Sequence, residues 1–210
     1  MRCGAVRYRL LVRAVSAVER FYAGFGRATT FQLTPGVCPV ELDVLLAERG
    51  YYRHTPMSLW AASVGDVRAR ARSSGAETRL TESPTGAWFD VWRAVHGDGG
   101  GCRPEWEMLA RVERPSAYVG VLDGDELVAV GRAVVDGGWA GVFGMATLPR
   151  ARGRGAAREV LRSLADWASD LGAEGMYLQV DGGNSPALRL YESMGFSEVC
   201  RYHYRSEVLS

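Results

Sequence analysis

The chain contains no lysine, no isoleucine and a single asparagine, Asn184. All 25 basic residues are therefore arginine, a bias expected of a very GC-rich gene, so arginine in place of lysine carries no information here. A chain without lysine cannot build a Walker-type phosphate loop, which needs Gly-Lys-Ser/Thr. Cysteine is sparse: Cys3, Cys38, Cys102 and Cys200 are scattered with no Cys-x-x-Cys pair, which argues against a disulfide-stapled secreted scaffold. The one close Cys/His pair, Cys200-x-x-His203, has no second pair to complete a zinc site, and His54 and His96 stand alone, so no metal is expected. Long apolar runs are missing too. Arg2, Arg7, Arg9 and Arg13 interrupt the N-terminal stretch, and nothing approaches the ~20 residues that span a bilayer. A net charge of +1 supplies no pull toward nucleic acid or membrane, so neither is expected as a partner, and the expected compartment is the cytoplasm.

What is present is patterned. Residues 15–22 have helical spacing, 29–33 are strand-like, 42–48 are helical up to Arg49-Gly50, and 51–60 read as a strand. Residues 63–81 lack an apolar period and predict an exposed linker, with Arg68, Arg70 and Arg72 solvated. A helix carrying Trp88, Phe89, Trp92 and Val95 leads into a glycine-rich loop at 96–101, and a second helix, carrying Trp106, spans 104–112. Three strands follow at 117–122, 126–135 and 139–147, joined by Asp-Gly turns that predict an antiparallel meander.

The third strand runs into Pro149-Arg150-Ala151-Arg152-Gly153-Arg154-Gly155 and then a helix with Ala157, Val160, Leu161, Leu164, Ala168 and Leu171 on one face. Glycines before the unpaired amides and positive end of a helix favour an anion, and a diphosphate suits the site better than one carboxylate. Arg150, Arg152 and Arg154 offer charge-assisted contacts, some of them facing water instead. A dinucleotide fingerprint is disfavoured because its third glycine falls on Arg158. The continuation is a strand at 176–180, the turn Asp181-Gly182-Gly183, and Asn184-Ser185-Pro186-Ala187-Leu188-Arg189-Leu190-Tyr191-Glu192-Ser193-Met194-Gly195-Phe196.

In these two stretches, over roughly residues 82–206, the chain resembles the GNAT superfamily of N-acetyltransferases. Arg150-x-x-Gly153-x-Gly155 matches that family's pyrophosphate loop, and Asn184-x-x-Ala187-x-x-x-Tyr191-x-x-x-Gly195-Phe196 matches its C-terminal helix. The resemblance implies an α/β (α+β) fold: a mixed β-sheet flanked by helices and splayed between its fourth and fifth strands, with the pantetheine arm of acetyl-CoA in the gap. By position, Met145, Ala146 and Thr147 would meet that arm, Arg150, Arg152, Gly153, Arg154, Gly155 and Ala156 would hold the diphosphate, and Asn184 would touch the cofactor beside the splay. Tyr191 would protonate the leaving thiolate as general acid, and backbone amides near Ala146 would polarise the oxyanion. On the residues alone Tyr191 also reads as a core aromatic, and Asn184 as a helix N-cap.

The general base is left open. Trp139 and Gln179 stand where family members carry a glutamate, and Asp90, Glu105, Glu107, Asp136 and His203 are the remaining candidates. After Phe196 one strand is expected, at 198–205, without the family's usual seventh. Residues 15–52 repeat the helix, strand, helix, Gly-aromatic order of 160–196. The expected organisation is therefore a truncated GNAT-like pseudo-repeat at 1–62 that binds no CoA and whose last strand supplies the missing edge, the linker at 63–81, and the catalytic domain at 82–210. The expected acceptor is a primary amine of a small molecule or peptide, and the expected assembly a monomer or homodimer. The rival reading is a non-catalytic acyl-CoA-binding module.

Overall fold

The structure, a computed structural model, describes residues 2–54, 56–71, 75–97 and 103–208. Arg72, the glycine-rich residues 98–101 and Cys102 lie outside them. The elements begin with α1 (Arg2–Ala23), β1 (Thr30–Leu33), α2 (Val40–Glu48), β2 (Tyr52–Arg53), β3 (Met57–Ser63), α3 (Val64–Arg70), β4 (Thr78–Thr81), α4 (Gly86–His96) and α5 (Arg103–Ala110). They continue with β5 (Ser116–Asp123), β6 (Glu126–Asp136), β7 (Trp139–Thr147), α6 (Ala156–Asp170), β8 (Gly175–Asp181), α7 (Ser185–Ser193) and β9 (Ser197–Ser206). Two compact units result: Met1–Leu59 with Asp181–Gly183 and Val199–Ser210, and Trp60–Val180 with Asn184–Glu198.

In the first unit α1 is much longer than its apolar spacing predicts, because arginine is a good helix former even where it interrupts hydrophobicity. Val15, Leu33, Leu45, Leu46 and Tyr51 make its core. β9 pairs antiparallel with both β1 and β2. The strand expected at 51–60 is divided into β2 and β3 by a stretch containing Pro56, which has no N–H for a ladder. The close of α2 repeats that of α7. Tyr51 N–H donates to Leu46 O and Gly50 N–H to Ala47 O, as Phe196 does to Tyr191 and Gly195 to Glu192, all at 3.0 Å. Gly50 and Gly195 both have positive φ, and Leu46 holds the place of Tyr191.

The second unit is built on a mixed sheet. β4, β5, β6 and β7 form an antiparallel run, and β8 joins β7 in parallel. On the far side of β8 lies β3, and Val64 N–H, just past its end, donates to Glu174 O at 2.9 Å. One face packs on α6, whose Val160, Leu161, Leu164, Ala165 and Ala168 are all buried, each leucine or valine stabilising the fold by about 1.5–3 kcal/mol. The other face receives Trp88, Phe89 and Val91 of α4 and Leu109 of α5.

Of residues 63–81, expected as a linker, the described ones, 63–71 and 75–81, are instead part of this unit. Ser63 caps α3 by accepting from Asp66 N–H at 3.0 Å, and Val64, Val67 and Ala71 bury a short helical stripe in the core. The arginines around that stripe mask its period. Arg68 is likewise not simply solvated: it pairs with Asp166 at 2.8 Å. Thr78–Thr81 then forms the edge strand β4.

Candidate active site

The site grows out of the end of β7. Pairing between β6 and β7 shifts register between Val130 and Arg132, where Gly144 adopts φ +62° in a bulge. A Cβ on Gly144 would lie 3.3 Å from Trp88 and 3.4 Å from Trp92, so this backbone passes close under α4. On its other edge β7 pairs with β8 only from Trp139↔Gly175 to Val142↔Leu178. Beyond Val142, β7 runs on to Thr147 without a ladder to β8, which is the splay. Met145, Ala146 and Thr147 lie on that stretch, and Ala146 and Thr147 remain paired to Val130 and Ala129 on the β6 side. The Met145 carbonyl accepts from His96 Nε2 at 3.0 Å, which places the ring proton on that nitrogen.

From Thr147 the chain makes a 3-10 turn over Pro149–Ala151 and enters α6 through Gly153 at φ +73° and Gly155 at φ +86°. A Cβ at either glycine would meet nothing within 4 Å, so what requires glycine here is the left-handed backbone. That conformation precedes the first-turn amides of α6, which have no intrahelical acceptor and aim the positive helix end outward. The arginines play a smaller part than their number suggests. Arg154 pairs with Asp123 at 2.8 Å, Arg150 with Glu126 at 2.5 Å, and Arg152 Nε donates to Thr147 O at 3.2 Å. The loop's attraction for an anion therefore rests first on its amides. Helix-start amides next to a strand edge open to an extended arm are a form that would suit the CoA portion of acetyl-CoA.

Asn184 caps α7, its Oδ1 accepting from Ala187 N–H at 3.2 Å. Tyr191, seven residues on, falls on the same side of that helix. Its ring is buried and meets Phe196 edge-on at 6.0 Å, and its hydroxyl has no hydrogen bond among the described residues. Burial pushes its phenol up to about 12, which keeps it protonated and able to donate. Met145, Ala156 and Tyr191 share one apolar cluster, while Ala146 joins the cluster beneath α4.

The carboxylates proposed as bases fare differently. Asp90 pairs with Arg93, Glu107 with Arg111 and Asp136 with Arg114, at 3.5, 3.5 and 3.6 Å. His203 belongs to the other unit, where its Nε2 lies 3.0 Å from Asp43. Glu105 differs in having a buried Oε2 without a hydrogen-bond partner among the described residues. Trp88 and Phe89 belong to the buried cluster beneath α4. Two residues were not singled out from sequence. His96 was signalled only by its place at the end of an amphipathic helix, and Arg132 only by being a charge inside an apolar strand. Among the described residues no three His, Cys, Asp or Glu side chains gather for a metal, and no helix is long and apolar enough to cross a membrane.

Comparison with known proteins bears on the fold and the family. A Bacillus subtilis (strain 168) protein described as an uncharacterized N-acetyltransferase, YobR, is 28% identical over 189 residues, covering 89% of this chain and 76% of its own. The solved GCN5-related N-acetyltransferase from Kribbella flavida superposes with a TM-score of 0.71 at 18% identity, covering 94% of this chain and 75% of that one. A tandem GNAT protein from the clavulanic acid biosynthesis pathway superposes at 0.69 and 13% identity, covering 93% and 69%. These two likenesses show the fold. The Acetyltransferase (GNAT) family profile matches residues 79–196, spanning β7, the glycine loop, α6, β8 and α7, and the chain belongs to that family.

Proposed function

We propose that this chain transfers the acetyl group of acetyl-CoA to a primary amine, either of a small molecule such as a natural product or antibiotic or of a peptide N-terminus, by direct attack in a ternary complex. The observation that carries the reading is the continuous run from the unpaired end of β7 into the left-handed glycines that open α6. Bound acetyl-CoA supplies an activated thioester. The amides from Gly153 to Ala156, with Arg150, Arg152 and Arg154 at their rim, hold its diphosphate, and Asn184 and the backbone of Met145, Ala146 and Thr147 hold its arm. Amides near Ala146 polarise the thioester oxygen; as the C–N bond forms and the C–S bond breaks, Tyr191 gives its proton to the departing sulfur, and the acetylated nitrogen releases one to solvent, from which the phenol is restored. The setting proposed is cytoplasmic, with the chain acting as a monomer or homodimer.

The test is to incubate the protein with acetyl-CoA and a panel of amines and follow free thiol. Amine-dependent thiol release that falls sharply in Tyr191→Phe is the expected result. The ion pairing of Asp90, Glu107 and Asp136 favours a second reading, a non-catalytic acyl-CoA-binding module. Tight CoA binding with no turnover on any amine would establish it. Salt-sensitive DNA binding that CoA does not displace would instead point to a nucleic-acid protein.

A further inference from the structure

Arg132 sits in the middle of β6, directly across from Phe143, the last residue before the bulge at Gly144. Its strand neighbours Gly131 and Ala133 turn toward α6, so Arg132 stands on the opposite face, the one that carries α4. There its guanidinium carbon lies 5.1 Å from the centre of the Phe143 ring. Phe143 in turn meets Tyr177 edge-on at 6.1 Å, and a Cβ on Gly141 would strike both rings at 2.7 Å. The cation is thus held against an aromatic wall beside the place where β7 and β8 part.

What distinguishes Arg132 is that, beyond the Phe143 ring, it has no hydrogen-bond or ion-pair partner among the described residues. Its Nη1 is buried without a hydrogen bond, and it forms no ion pair among the described residues. The arginines of the glycine loop each find an acceptor, and Arg49, Arg68, Arg162 and Arg205 all find carboxylates. A buried guanidinium donor left unpaired is costly, and proteins pair such groups with protein, water or ligand.

We infer that the acceptor amine also carries a carboxylate, and that Arg132 receives it. A planar, singly charged carboxylate matches one guanidinium, whereas a phosphate dianion calls for a second cation that this wall does not supply. The anchored acid would fix the amine's distance and direction relative to the thioester. This inference rests on the acetyl-transfer reading and narrows its substrate to amino-acid-like amines.

The experiment uses matched pairs, free amino acids and their carboxamides, as acceptors for the full chain and for Arg132→Gln and Arg132→Lys, with thermal melts to verify folding. The wild type should favour the acid by about tenfold or more in kcat/KM, mainly through KM. Arg132→Gln should erase that preference while leaving the carboxamide within about twofold, and Arg132→Lys should keep part of it. A second readout needs no turnover: N-acetyl amino acid is titrated into the CoA-loaded protein and followed by tryptophan fluorescence. Binding that is lost in Arg132→Gln supports the anion site even if no amine is acetylated, in which case only the transfer reading fails. Amines that turn over with no preference for the acid, or a preference unchanged in Arg132→Gln, overturn the anion site and leave the transfer reading standing. Absence of both turnover and binding overturns both, and if Arg132→Gln does not fold, the wild-type acid-to-amide ratio decides.

Discussion

His96 Nε2 donates to the Met145 carbonyl at 3.0 Å, tying the last turn of α4 to the bulged part of β7. The imidazole is exposed, so the bond contributes only about 1 kcal/mol to folding. Its larger effect is on the register of the backbone that lies along the splay. His96→Ala should leave the melting temperature nearly unchanged and lower kcat/KM for acetyl transfer about tenfold. His96→Gln, which can still donate to the carbonyl, should recover part of the loss. Wild-type kinetics in His96→Ala would remove His96 from the site.

Tyr191→Phe separates chemistry from packing. The ring, buried against Phe196 and the α6 cluster, is retained, and only the hydroxyl is lost. We expect kcat to fall about 100-fold with little change in acetyl-CoA KM. The raised phenol also has a signature in stability. Because the folded form holds its proton more tightly than the unfolded chain, its contribution is complete below pH ~10 and is lost as pH rises through about 12. Wild type should therefore lose melting temperature over that range more steeply than Tyr191→Phe.

The sequence exposed the meander, the glycine loop and the α7 motif because each is written locally: alternating apolar residues between Asp-Gly turns, glycines before a helix, an asparagine cap. α3 escaped because Val64, Val67 and Ala71 form a stripe only two turns long among arginines. The engagement of Arg150 with Glu126 and Arg154 with Asp123 was invisible, since it depends on the turn between β5 and β6 folding back to the loop. Arg132 was equally hidden. Only cross-strand register places it on Phe143, and only the full packing leaves its Nη1 without a partner.

Asp43 carries an acid-sensitive link in the first unit. Its carboxylate accepts from Arg205 Nε and lies 3.0 Å from His203 Nε2, and the Arg205 hydrogen bond foremost, with His203 adding to it, holds its pKa below the ordinary carboxylate value against a smaller desolvation effect. A depressed carboxylate stabilises the fold above its unfolded pKa of about 3.9 and ceases to do so as pH falls through the folded value. Asp43→Asn should melt below wild type at neutral pH, and the gap should close below pH ~4. A gap that persists undiminished in acid would mean that packing, not charge, sets the effect.

Glu159 is the most deeply buried charge among the described residues of the second unit, at 1% exposure, and it accepts from Arg162 Nε at 2.7 Å. Arg162 also reaches Asp166 at 2.7 Å, so removing Glu159 leaves that guanidinium with one partner rather than none. Urea denaturation of Glu159→Ala should show a loss of about 2 kcal/mol, short of the cost of stranding a buried charge outright. Glu159→Gln should fall between it and wild type. A neutral Glu159→Ala would mean that Asp166 compensates fully.

The division of labour in the phosphate loop gives the sharpest contrast between variants. Gly155 heads α6 at φ +86°, a conformation that costs a residue with a Cβ about 1–2 kcal/mol although nothing would collide with it. Gly155→Ala should therefore either lower stability by that amount or relax the backbone and turn the first amides of α6 away from an anion. Both routes weaken CoA binding, and we expect at least tenfold by calorimetric titration. Arg154→Gln removes a side chain already paired with Asp123, more than half exposed on the rim. Its loss should weaken CoA no more than about threefold, and less still at high salt, because an exposed charge in water contributes little. If Arg154→Gln proves as damaging as Gly155→Ala, the guanidiniums rather than the amides hold the diphosphate, and the ion pair with Asp123 must open when CoA binds.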